Sequence, residues 1–165
     1  MTKNSRLKII PDLQGSYLKM VENSVGTRLF QNFYVRKGKR KIDATAGGRF
    51  SCALFVSFIL NNFGLLRKSH TTVKSTLRDM QNSGWFEINL GTVPSSVPRG
   101  AVLVWEEKKD KRGIHQHIGF YIGKNQAISN SFQKKTPVCH HWTFGPRGSK
   151  SYRRVVKIFW HNNFT

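Results

Sequence analysis

Acidic residues are scarce in this chain. Eight Asp and Glu stand against 28 Lys and Arg, a formal net charge of +20 over 165 residues. Solubility does not require so large an excess. A surface of this kind attracts polyanions: nucleic acid, anionic lipid headgroups or an anionic cell wall. Cysteine is almost absent too. Two residues, Cys52 and Cys139, exclude a disulfide framework and lack the clustering of a structural zinc site. Long apolar runs are missing: the longest, Cys52 to Leu60, is interrupted by Ser57 and falls well short of the ~20 residues that span a bilayer. The first residues are basic and hold no signal-type apolar stretch. The expectation is a chain that is cytoplasmic as synthesised, or released by a signal-independent route.

What is present is enough for a core. Hydrophobic residues make up 38% of the chain, with 12 Phe and 4 Trp, which excludes general disorder. The length suits one domain. Residues 1–13 read as a basic irregular lead-in and 14–165 as a single domain. From Gln14 to Arg36, apolar residues at Leu18, Val21, Val25, Leu29, Phe30 and Phe33 predict an amphipathic helix. The run Arg36-Lys37-Gly38-Lys39-Arg40-Lys41 reads as a solvated charged loop that could also touch a polyanion. A second helix is predicted from Cys52 to about Asn62, with Gly64 at its end, and a third over 70–84.

The texture then changes. Trp85 to Ile88 suits a strand or a helix exit, and Pro94, Pro98 and Gly100 mark a loop. Strands are predicted at 101–105, 114–122, 127–132, 138–144 and 152–160, with a tight hairpin at Gly123-Lys124-Asn125-Gln126. Helices followed by a run of about five antiparallel strands imply an α+β fold, helices on one face of the sheet.

Two segments can carry chemistry. In Gly47-Gly48-Arg49-Phe50-Ser51-Cys52-Ala53-Leu54-Phe55-Val56, a glycine loop runs into an apolar helix with Cys52 in the first turn. Backbone N–H groups and the helix dipole favour a thiolate there. A thiol nucleophile needs a base, usually His. His115 and His117, in Gly113-Ile114-His115-Gln116-His117-Ile118-Gly119-Phe120-Tyr121-Ile122-Gly123, share one strand face. The His-x-His pair could also ligate a metal, with His140 and His141 as further ligands, but that reading is the weaker one and no metal or cofactor is expected.

The order of these pieces resembles the NlpC/P60 superfamily of papain-like cysteine peptidases and amidases, related to the CHAP group. Ser51-Cys52-Ala53-Leu54-Phe55-Val56 is similar to its nucleophile segment, Pro98-Arg99-Gly100-Ala101-Val102-Leu103-Val104 to its strand entry, and His117-Ile118-Gly119-Phe120-Tyr121-Ile122-Gly123 to its histidine segment. Arg153 to Phe159 looks like the closing strand. The resemblance covers roughly 45–160 and implies a papain-like core with Cys52 as nucleophile and His117 as base.

A third polar residue, twelve after the histidine in that family, falls on Ser129. His140 and Asn130 are the alternatives, although Asn130 should face away from Ser129 unless a bulge turns it. His115 and Trp142 are candidates to line the cleft, and Asp43 and Tyr34 could shape it. Cys139 reads as a structural strand residue. The implied activity is a thiol hydrolase that cuts an amide in peptidoglycan stem peptides, acting as a monomer on an anionic polymer. A non-enzymatic polyanion-binding module, for nucleic acid or cell wall, and a lipid-directed acyltransferase or thioesterase are the competing readings.

Overall fold

The structure is a computed structural model that describes residues 8–89, 97–110 and 113–164. Pro94 of the expected loop lies outside the described residues. The elements in chain order are α1 (Leu13–Asn23), β1 (Tyr34–Lys37), β2 (Arg40–Asp43), α2 (Cys52–Asn62), α3 (Val73–Gln81), β3 (Trp85–Ile88), β4 (Val102–Asp110), β5 (Gly113–Gly123), β6 (Gln126–Asn130), β7 (Pro137–His141) and β8 (Val155–His161). A short 3-10 turn, Asn162–Phe164, follows β8. The fold is α+β. Its main sheet is antiparallel with strand order β3-β8-β4-β5-β6-β7, and β1 and β2 form a separate hairpin.

Strand alternation divides the core in two. On one face, Val102, Val104, Ile118, Phe120, Ile128 and Phe159 pack against all three helices, through Tyr17 and Val21 of α1, Phe55 and Ile59 of α2, and Met80 of α3. On the other, Leu103, Trp105, Tyr121, Ile158 and Trp160 form a second cluster, joined by Trp142, Phe144 and Phe164 rather than by a helix. Two buried polar handles are satisfied: Trp105 Nε1 donates to Trp142 O at 2.7 Å and Tyr17 OH to Gly100 O at 2.8 Å. The helices thus sit on one face as expected, and the opposite face builds its own apolar layer. Among the described residues no helix is long and apolar enough to cross a membrane.

Two expectations fail near the N-terminus. The helix predicted to Arg36 stops at Asn23. The Ser24 hydroxyl donates back to Val21 O at 2.6 Å, Gly26 takes φ +79°, and its N–H donates to Pro137 O at 2.9 Å on β7. That tertiary bond and the left-handed glycine turn the chain out of the helix. Leu29, counted in the apolar stripe, is 76% exposed. The charged run 36–41 is not a loop either: it forms most of the β1–β2 hairpin, paired Arg36 with Lys41 and Lys37 with Arg40. The sheet also has six strands rather than five, because Trp85–Ile88 pairs with β8 at the edge. The tight turn at 123–126 forms as expected, with Lys124 and Asn125 both at positive φ.

Candidate active site

Cys52 is the first residue of α2, and its helix begins where the glycine loop ends. Asn130, buried at the end of β6, donates from Nδ2 to Gly48 O at 2.7 Å and ties that loop to the sheet. Asp43 fixes the loop's other end, accepting from Gly47 N at 2.8 Å, Thr45 N at 3.1 Å and Thr45 Oγ1 at 2.7 Å. The thiol is half-buried and opens on a cleft of about 650 Å³ that His115, His117, Asn130, Phe132 and Arg153 also line. Burial pushes the Cys52 pKa up, against the pull of the backbone N–H groups of Ile118 and Ala53 and the charge of Arg153. Cys52 therefore rests as a thiol rather than a thiolate.

His117 lies on β5 opposite Trp105. Its Nε2 is 2.8 Å from Ser129 Oγ. The same oxygen is 2.8 Å from His140 Nε2, and His140 Nδ1 is 2.8 Å from the carbonyl of His141. The carbonyl fixes the donor directions throughout this chain. It can only accept, so His140 Nδ1 carries a hydrogen. Burial holds His140 below its ordinary pKa, so the ring is neutral near pH 7 and its Nε2 accepts. Ser129 then spends its single hydroxyl hydrogen on His140 and accepts from His117 Nε2–H. The Nδ1 of His117 is left with a lone pair, the state a general base requires. Burial, then the charges of Arg153 and His140, pushes the His117 pKa down to about 3. Thiol and imidazole are both neutral at pH 7.

Packing holds this chain in place. His140 stacks on Phe144 at 4.1 Å and 16°, and Trp105 lies 5.4 Å from His117 and 5.8 Å from His140. Ser129 reaches His117 because the intervening Gly119 has no side chain. A Cβ there would meet Ile128 O at 2.6 Å and Ser129 Cβ at 2.7 Å.

Of the residues singled out in the sequence, Cys52, His115, His117 and Asn130 share the cleft, and Ser129 and His140 stand behind His117 in one hydrogen-bonded line. Ser129 and His140, weighed as alternatives, both belong to it. Asn130 follows Ser129 without a bulge and holds the loop before Cys52 instead of His117. Trp142 is misplaced by the sequence reading. It packs 6.1 Å from Tyr121 in the second core cluster and does not line the cleft, because it leaves the sheet in the turn after β7. Cys139 is exposed on β7, its Sγ 2.7 Å from Gln126 Oε1. Tyr34 is exposed on the hairpin, away from the cleft lining.

Two contributors were missed. Arg153 enters the cleft ahead of β8, its Nε and Nη2 donating to Glu106 O at 2.9 and 2.8 Å and Nη2 also to His115 O at 2.8 Å. Nothing in the local sequence separates it from the chain's other basic residues. Phe50, two before the cysteine, stacks on His115 at 5.7 Å and 20° and lies 5.6 Å from Phe132, giving the cleft an aromatic wall. Its place two residues before Cys52 was the available signal. Among the described residues, no group of three or more His, Cys, Asp or Glu gathers as a metal site. Searches against protein-family models and against curated proteins found no match for this chain.

Proposed function

We propose that this chain is a cysteine hydrolase with a papain-like core of the NlpC/P60 type. The observation that carries the reading is Cys52, the first residue of α2, sharing one cleft with His117, whose ring is oriented by Ser129 and His140. In this mechanism His117 Nδ1 takes the thiol proton as Sγ attacks an amide carbonyl. The C–N bond of the tetrahedral intermediate then breaks, and the imidazolium returns its proton to the leaving amine. Water, deprotonated by the same ring, releases the acyl group. The N–H groups at the start of α2 are the donors suited to the oxyanion. Because the thiol and the ring start neutral, proton transfer accompanies attack rather than preceding it.

The substrate we assign is the peptidoglycan stem peptide, cut as an endopeptidase or amidase. An open cleft with an aromatic wall and the cationic Arg49 and Arg153 suits a peptide that carries carboxylates. The test is incubation of purified muropeptides with the protein, products read by mass. Wild type should shorten the stem peptides, and Cys52→Ala should leave them intact while keeping the wild-type Tm. Full turnover by Cys52→Ala would end this reading.

A further inference from the structure

The β1–β2 hairpin contributes nothing to the chemistry just described, yet its charge arrangement is costly. Residues 34–41 are all exposed and include five cations: Arg36, Lys37, Lys39, Arg40 and Lys41. Register places Arg36 directly opposite Lys41 and Lys37 directly opposite Arg40. Like charges opposed across a ladder destabilise it, and a lone two-stranded hairpin is marginal to begin with. Among the described residues no carboxylate lies in ion-pair range of any of the five. The acid on the hairpin itself, Asp43, is taken up at its base by Asn32 Nδ2, Phe33 N, Thr45 and Gly47 N. Those bonds pin the arm to the loop that leads to Cys52.

We propose that β1–β2 is an anchoring arm for a linear polyol-phosphate polymer of the cell wall, bound through charge alone. The naming of a wall polymer rests on the hydrolase reading above. The arm's charge does not. A phosphodiester chain laid along the hairpin neutralises the facing cations and removes the cross-strand repulsion. Nucleic acid fits less well. Tyr34 is the one aromatic residue on the two strands, with Lys41 Nζ over its ring at 4.1 Å, so the arm lacks the row of rings on which successive bases stack. Because Asp43 ends β2 and holds Thr45 and Gly47, the anchor is tied to the loop that leads into α2 and its thiol.

The test uses the full chain and poly(glycerol phosphate), with binding read by fluorescence anisotropy at 50 and 200 mM salt. The variant replaces Arg36, Lys37, Arg40 and Lys41 by Gln, and a control replaces the exposed Arg78, Lys124, Arg147 and Lys150 by Gln. The hairpin variant should lose affinity by on the order of 10-fold or more, with its salt slope reduced by about 3. The control should keep most of both. Without polymer, the hairpin variant should melt at or above the wild-type Tm, since repulsion has been removed. Polymer should raise Tm in wild type and in the control, and not in the hairpin variant. Equal losses in both variants, an unchanged hairpin variant, or tighter binding to duplex DNA of equal charge would each overturn the proposal. No turnover is measured, so a failed muropeptide assay and a failed binding assay point to different errors.

Discussion

His140 donates from Nδ1 to the backbone carbonyl of His141 at 2.8 Å, and this one bond sets the direction of every hydrogen bond between it and His117. A carbonyl cannot donate, so the hydrogens run from His117 through Ser129 and His140 and end at the His141 carbonyl. Ser129 alone would be an indifferent partner for imidazole. With His140 behind it, its oxygen is committed as an acceptor.

Groups that act as one line should fail as one line. Ser129→Ala and His140→Phe should each lower kcat by roughly 10-fold to 100-fold with little change in KM, and the double variant should be no worse than either single. Steady-state kinetics on the four proteins tests this. Losses that multiply in the double variant would mean that Ser129 and His140 act separately.

The depressed His117 pKa has a sign that can be followed. Burial, then Arg153 and His140, holds it at about 3 instead of 6.5, so the ring stays a competent base in mild acid. The acid limb of kcat/KM should fall well below pH 6.5. Arg153→Gln removes a neighbouring positive charge and should move that limb upward. The fold responds in the opposite sense. The unfolded chain protonates this histidine near 6.5 and the folded chain does not, so stability is full above that pH and declines as pH falls toward about 3. Tm should therefore drop across the range where activity persists, and His117→Asn should flatten the drop.

Close approach at Gly119 is the steric condition for the Ser129–His117 bond. Gly119→Ala would press a methyl group against Ile128 O and Ser129 Cβ, both held by the β5–β6 ladder. A cost of about 2 kcal/mol or more is expected from overpacking of this kind. Ser129→Ala, which adds no atom, should cost less. Denaturant melts of the two variants, compared with their kcat values, separate a site that has been pushed apart from one that has lost a hydroxyl.

The parts of the fold legible in the sequence are those decided locally. The apolar run after Cys52 forms α2 at the expected bounds, and Lys124-Asn125 turns β5 into β6. The departures have tertiary causes. Nothing near Gly26 announces its bond to Pro137, and without that bond the spacing of Val25, Leu29 and Phe33 still reads as helix. Charge hid the hairpin, because five cations in six residues resemble a solvated loop until their register is known. In the site, the family resemblance pointed to His117 and Ser129; Ser129 pairs with Gly119, two residues along the same strand face from His117, and its hydroxyl lies 2.8 Å from the ring. His140 joins through the next strand, where the register of β6 on β7 sets it opposite Ala127 rather than beside Ser129, and only side-chain geometry brings it back. Arg153 arrives from the far end of the chain.

The two cysteines provide an internal comparison for the dyad. Burial raises both thiol pKa values, so at pH 7 neither is ionised to any great extent by its own surroundings. Cys139 is the more exposed and should be alkylated at the slow rate of an ordinary thiol. Cys52 has less access but shares the cleft with His117, whose free Nδ1 can take the proton during attack on an electrophile. Iodoacetamide labelling, followed peptide by peptide in mass spectra, should find Cys52 the faster of the two. His117→Asn should slow Cys52 by roughly 10²-fold, the scale of general-base assistance. Cys139 in the same sample should not change, which guards against an altered reagent or a disturbed fold. An unchanged Cys52 rate in His117→Asn would show that the thiol does not use this base, and the nucleophile would then have to be sought with a different partner.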